Sequence, residues 1–97
     1  MKYEIWQLKR ENDDAYGFMD YDWAKAHGFK LEDYEKTYEG EIDMELDEDV
    51  ALELIFKIFN LNRPEDFKGH SLSVSDIVAL NGKKFYCDSW NWKEIKE

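Results

Sequence analysis

An α+β domain, with a small antiparallel or mixed sheet of about four strands and two helices packed on one face, is predicted by three features of the sequence. Period-two alternation runs from Tyr38 to Leu46, helical apolar spacing runs from Val50 to Phe59, and an Asn81-Gly82 pair separates two β-rich runs near the end. The elements read β, α, β, α, β, β, an order that favours a sheet carrying its helices on one side.

Each element has its own local signal. The first strand is Tyr3-Glu4-Ile5-Trp6-Gln7-Leu8, in which β-branched and aromatic residues interleave with polar ones. Lys9 to Asp14 is a charged turn, and Ala15 to Met19 is expected to extend or pair that strand. Asp20 is placed as an N-cap ahead of Trp23, Ala24 and Ala26, and Gly28 takes the C′ position that ends the helix. In the alternating run, Tyr38, Gly40, Ile42, Met44 and Leu46 share one face and Glu39, Glu41, Asp43 and Glu45 the other. The first set is expected in the core and the second in water. Asp47 caps the second helix, with Glu48 and Asp49 in the first turn, where the macrodipole favours negative charge. Val50, Ala51, Leu54, Ile55 and Ile58 recur at helical spacing, and Leu52, Phe56 and Phe59 widen the stripe. This is the central, most buried helix, ending near Asn60 ahead of Pro64. Residues 62–75 read as a loop with local turns, and Ile77–Leu80 and Lys84–Trp90 as the arms of a hairpin about Asn81-Gly82.

The 97 residues fit one domain, residues 1–97, with no repeat, low-complexity tract or linker to divide it. An aromatic share of 16% argues for a packed interior rather than disorder. The net charge of −10 is uneven: residues 1–50 hold 16 acids and 6 bases, while residues 51–97 hold 7 of each. A field of that sign repels nucleic acid and anionic membrane and attracts basic surfaces. Cys87 is the sole cysteine, which suits a reducing, cytoplasmic setting, and neither Tyr86 nor Asp88 offers the positive charge that would activate it. Met1-Lys2-Tyr3-Glu4 leads into no apolar stretch of the secretory kind, and Ile77-Val78-Ala79-Leu80 is too short to span a bilayer.

Chemical motifs are weak. Asp43, Glu45, Asp47 and Asp49 lack the glycine and glutamate spacing of an EF-hand loop, and His27 and His70 stand far from each other and from the thiol. No metal or other cofactor is therefore expected. His70, Ser71, Ser73, Ser75 and Asp76 lie together, but without a nucleophile elbow, and residues so close in sequence more often satisfy backbone groups in local turns. Phosphate-binding glycine loops are absent. The feature that remains is the row Glu39, Glu41, Asp43 and Glu45, continued through Asp47, Glu48 and Asp49. Residues two apart on a strand recur every ~6.6 Å, whereas duplex DNA carries one charge per ~1.7 Å of axis. The row therefore imitates nucleic acid only if Asp13, Asp14, Asp20, Asp22, Glu32 and Asp33 line up beside it. A solvated outer face is the competing reading.

One segment carries a family resemblance. Asn62-Arg63-Pro64-Glu65-Asp66-Phe67-Lys68-Gly69-His70-Ser71-Leu72-Ser73-Val74-Ser75-Asp76-Ile77-Val78, and above all its Gly69-to-Asp76 core, resembles the YodL-like domain of bacterial mobile elements. Tyr3-Glu4-Ile5-Trp6-Gln7-Leu8-Lys9 is similar to the family's opening strand. Tyr38-Glu39-Gly40, Leu52-Glu53-Leu54-Ile55-Phe56 and Phe59-Asn60 resemble its middle, and Phe85-Tyr86-Cys87-Asp88-Ser89-Trp90 its closing strand. Asn91 stands where the family pattern has glycine, so the final turn is expected to differ. The resemblance implies conjugative elements and phages of Firmicutes as the setting, and it brings no catalytic residue with it. Gly69, His70, Ser71, Ser73, Ser75 and Asp76 are the motif positions, as a fold-defining turn or as a binding site.

Together these readings lead to one expectation and two rivals. The expectation is a non-enzymatic inhibitor of a host defence nuclease, anti-CRISPR or antirestriction in kind, docking its acidic face on a basic nucleic-acid channel. The same channels hold guide and target, so the expected partner is the nuclease itself rather than nucleic acid or membrane. The first rival is a general protein-interaction or regulatory domain of the element, charged only for solubility. An enzyme using His70 and Asp76 is the second. Should the acidic row be inert, Tyr86, Trp90 and Trp92 form the alternative contact, because aromatic residues dominate interface energetics.

Overall fold

Alternation in the first strand divides the molecule into two layers of core. The computed structural model describes residues 1–12, 16–67, 69–89 and 91–96. Its elements are β1 (Lys2–Leu8), α1 (Tyr21–Ala26), β2 (Tyr34–Glu41), α2 (Glu48–Leu61), β3 (Ile77–Leu80), β4 (Lys83–Cys87) and β5 (Trp92–Glu94), with 3-10 turns at Arg10–Asn12 and Leu31–Asp33. The five strands lie in the order β2-β1-β3-β4-β5, and every neighbouring pair is antiparallel. The α+β class is the predicted one, with one strand more than expected. The expected second hairpin arm, Lys84–Trp90, stops at Cys87, and the chain returns as β5 with Cys87 opposite Trp92. Trp90 itself lies outside the described residues, as do Asp13, Asp14, Ala15, Lys68 and Glu97. Gly17 and Phe18 form a turn rather than an extension of β1.

The two helices do not share a face. Tyr3, Ile5, Val78, Leu80 and Phe85 pack with Ala51, Leu52, Ile55 and Phe59 of α2. Leu8, Tyr34, Ile77 and Tyr86 pack instead with Tyr21 and Ala24 of α1, and with Tyr16 and Phe29. Ile77 and Val78 are adjacent, as are Phe85 and Tyr86, so the two clusters must occupy opposite faces of the sheet. The cause is β3: Ile77, Val78 and Leu80 are apolar on both sides, so water must be excluded from both. At the Lys2 end the α1 face stays open, and Lys2, Glu4, Glu39, Glu41, Lys83 and Lys84 line a shallow groove of about 600 Å³ there.

A bulge makes this two-sided arrangement possible. Tyr38 pairs with Ile5 but Lys36 with Trp6, so Thr37 has no single partner, and its Oγ1 sits 3.4 Å from the carbonyl of Ile5 that it donates to. One extra residue inverts the side-chain pattern. Tyr34 therefore enters the α1 cluster while Tyr38, four residues on, packs against the α2 cluster.

The helix boundaries follow their caps. The Oδ1 of Asp20 accepts from the amide of Trp23 at 2.9 Å, and Gly28, at φ +92°, leaves α1 through a conformation that side-chain-bearing residues avoid. Asp47 occupies the N-cap position of α2, though its side chain makes no cap bond. The β3–β4 turn places Asn81 and Gly82 at φ +53° and +77°, the two positive values a type I′ hairpin needs.

Candidate functional site

The acidic row is less regular than its spacing implies. Only Glu39 and Glu41 stand on β2, because the ladder to β1 finishes at a Met1–Ile42 pair, with Ile42 N donating to Met1 O at 2.8 Å. Residues 43–47 then cross to α2 without a neighbouring strand. Ile42 is buried and Leu46 half-buried against the α2 cluster, where its amide reaches the Met1 sulfur at 3.3 Å. Met44 is turned out to 55% exposure, against the expectation of burial, and Tyr38 is half-buried. Period two continued in the sequence after the strand that would enforce it had ended.

The charges themselves stand where expected. Glu39, Glu41, Asp43, Glu45, Asp47 and Asp49 are exposed and Glu48 is half-exposed. Among the described residues, two of the seven meet a cation: Glu39 with Lys36 at 3.4 Å and Glu48 with Lys83 at 3.3 Å. Lys36 also reaches Glu4 at 3.6 Å, and these carboxylates raise its pKa, the hydrogen bond that it donates to Glu39 most of all. Two of the acids expected to broaden the row are engaged elsewhere. Asp20 caps α1, and Asp33 accepts from the Tyr16 hydroxyl at 2.9 Å near the far end of β2.

The family-motif segment builds a different object, a buried polar junction at the entry to β3. Asp76 N donates to Ser73 O at 3.1 Å, and Ser75 between them has φ +86°, as in a type II turn. Ser75 N donates to Cys87 O and Cys87 N to Asp76 O, so two motif residues face one of β4. This is a G1-type bulge in which serine stands where glycine is usual. The Ser75 carbonyl accepts from Tyr34 at 2.5 Å and its Oγ from the amide of Phe18 at 3.1 Å. Those bonds join β2, β4 and the turn before α1, and they offset the strained backbone. Phe18 is itself at φ +66°.

The Asp76 carboxylate, 2% exposed, folds back into this junction. Its Oδ2 accepts from Ser73 N at 2.9 Å and from Gln7 Nε2 at 3.1 Å. Gln7 Nε2 also donates to His70 O at 2.9 Å, so both amide protons are engaged. Turning the Gln7 amide over would set its oxygen against two acceptors, which fixes its orientation. His70 Nδ1 lies 2.8 Å from Ser71 O and 3.9 Å from Asp76 Oδ2. The Ser71 carbonyl favours a proton on Nδ1, while Gln7 Nε2 lies 3.2 Å from the same nitrogen, on a ring half open to water. Gly69 completes the junction: a Cβ there would overlap Gln7 Oε1 and lie 2.8 Å from Phe67. Gln7 Oε1 and Ser73 Oγ are buried with no partner among the described residues.

Gln7, Tyr34 and Thr37 are the contributors that sequence reasoning missed. The signal for Gln7 was its place on the inward face of β1, in step with Tyr3 and Ile5. Of the alternative aromatic contact, Tyr86 is fully buried, with its hydroxyl donating to Met19 O at 2.6 Å, and Trp92 is half-exposed beside Phe56. Burial pushes the Cys87 thiol up to about 12, with Asp76 adding to it. His27 stacks on Trp23 at 3.6 Å. Among the described residues no three His, Cys, Asp or Glu side chains converge as a metal would need, and no helix is long and apolar enough to cross a membrane.

No curated protein and no solved structure matches the chain. The model of one family, the YodL-like domain, matches residues 2–97, which takes in the β1 strand, the acidic edge and the Gly69–Asp76 junction alike. The chain belongs to the YodL-like domain family.

Proposed function

We propose that this domain is a non-enzymatic binding module that docks on a basic protein surface through the acids running from β2 to the start of α2. Its most concrete form is an inhibitor carried by a mobile element, anti-CRISPR or antirestriction in kind, occupying a basic nucleic-acid channel of the defence nuclease. One observation carries this reading: six of the seven acids are exposed and a seventh half-exposed, yet only Lys36 and Lys83 pair with any of them among the described residues. An exposed anionic surface with few internal counter-ions lowers its energy by meeting cations from outside, and effectors that grip guide and target present such cations in a groove. The buried junction at Asp76 supports the same division of labour, since its polar groups bond mainly to one another and to the backbone.

The test is a pull-down from a host lysate with the tagged domain, followed by a salt gradient. Retention of a CRISPR or restriction nuclease, released as ionic strength rises, supports the proposal, because screening shortens the reach of exposed charges to about 8 Å at physiological salt. A domain that retains no nuclease, or retains one indifferently to salt, would favour the accessory-domain reading in which the charge serves solubility.

A further inference from the structure

β2 is an edge strand, and the hydrogen bonds at its two ends fix which of its backbone groups face outward. Ile42 N donates to Met1 O, so Ile42 directs its backbone to β1. Counting back through the ladder, Gly40 and Tyr38 do the same, while Glu41 and Glu39 turn their N–H and C=O away. At the other end Lys9 N donates to Asp33 O, which turns Lys36 outward by the same alternation. Among the described residues none of these outward groups of Lys36, Glu39 and Glu41 has a backbone partner. The side chains alternate as well: Glu39 and Glu41 stand over the open half of the sheet, beside Glu4, and Tyr38 and Gly40 stand over the α2 core, beside Tyr3.

An edge of this kind accepts another strand unless something blocks it. A second copy of this chain is disfavoured, because antiparallel self-pairing would set Glu39 and Glu41 against like charges. A strand bearing lysine or arginine in those places meets the opposite condition, and its intervening side chains would lie along Tyr38. We infer that the β2 edge is a β-augmentation site for an extended protein segment with lysine or arginine at alternate positions and apolar residues between them. The inference rests on the proposed docking on a basic partner and adds to it the register and the backbone contacts.

The probes are an octapeptide of alternating lysine and valine, blocked at both ends, and the same peptide N-methylated at every second amide, which keeps the charge but cannot form a ladder. Titration into the 15N-labelled domain at low salt should slow amide exchange at Glu39 and Glu41 and leave Gly40, already bonded to β1, unchanged. The variant Glu41→Pro removes an outward donor and no bond to β1. It should fold with an unaltered melting point and bind about tenfold more weakly than Glu41→Gln, which loses the same charge and keeps the donor, the difference expected for one hydrogen bond. Equal binding of both peptides, or binding by a folded Glu41→Pro as tight as by Glu41→Gln, would overturn augmentation while leaving the acidic docking surface standing. Failure of both peptides to bind at low salt would overturn both. Dimerisation of the domain through β2, seen by sedimentation and abolished by Glu41→Pro, would assign the edge to a second copy and also overturn the inference. Should Glu41→Pro fail to fold, the comparison of the two peptides still decides.

Discussion

At the scale of single residues, the molecule is organised by buried polar groups as much as by apolar ones. Asp76 is held by Gln7 and by the Ser73 amide, and the Gln7 amide in turn holds His70 O and excludes any side chain at residue 69. Replacing Asp76 by alanine leaves those donors without an acceptor in a site closed to water, and the expected loss is about 2–4 kcal/mol. Urea denaturation checks it, and an unchanged midpoint would contradict the structural role. The phenols make a second prediction. Burial raises Tyr3 to about 12, raises Tyr16, Tyr34 and Tyr86 further, and raises Cys87 to about 12. The unfolded chain sheds these protons first, so their contribution is complete below pH about 9 and is lost as pH climbs toward the folded values, at up to about 1.4 kcal/mol per group per pH unit. Phenolate absorbance and far-ultraviolet dichroism should therefore change together in one steep alkaline transition. Ionisation of the phenols one by one with the dichroism intact would contradict this.

At the scale of elements, legibility tracked how local each cause is. The N-cap at Asp20, the exit at Gly28 and the Asn81-Gly82 turn were readable because each is decided within a few residues. The sides of the sheet were not. Ile77-Val78-Ala79-Leu80 shows no alternation, and such a run signals burial on both faces, which in turn requires the two helices to lie on opposite sides. The strand Tyr38–Leu46 was misplaced for a related reason. Tyr34 and Tyr38 are both even positions, and only a bulge at Thr37, defined by pairing with β1, lets them face opposite ways. Deleting Thr37 should then force one of the two rings out of its core and leave the chain largely unfolded at 25 °C. The loss combines a broken register with an aromatic burial worth about 3–5 kcal/mol. A deletion variant with native dichroism and a melting point within a few degrees of wild type would contradict the bulge's role. The candidate site was legible in the same partial way: all seven acids were placed at the surface, but their continuation on a strand past Glu41 was not real.

At the scale of the whole molecule, the two halves of the chain divide the work. The neutral second half supplies most of α2 and the β3–β4 hairpin, and with them the Asp76 junction, while the first half carries the whole excess of ten negative charges. Self-repulsion of that charge lowers stability slightly, and high salt should raise the melting point while it weakens association, so the two effects can be told apart. The most direct test of the proposed docking surface is the Glu41→Lys, Asp43→Lys, Glu45→Lys triple variant. All three positions are exposed, and exposed substitutions shift stability by about ±0.5 kcal/mol each, so the fold should persist. Its affinity for a nuclease that the pull-down retains, measured by calorimetry at low salt beside wild type, should fall by at least about a hundredfold, as expected when attraction at several close charge pairs becomes repulsion. A folded triple variant that binds the nuclease as tightly as wild type would contradict the account.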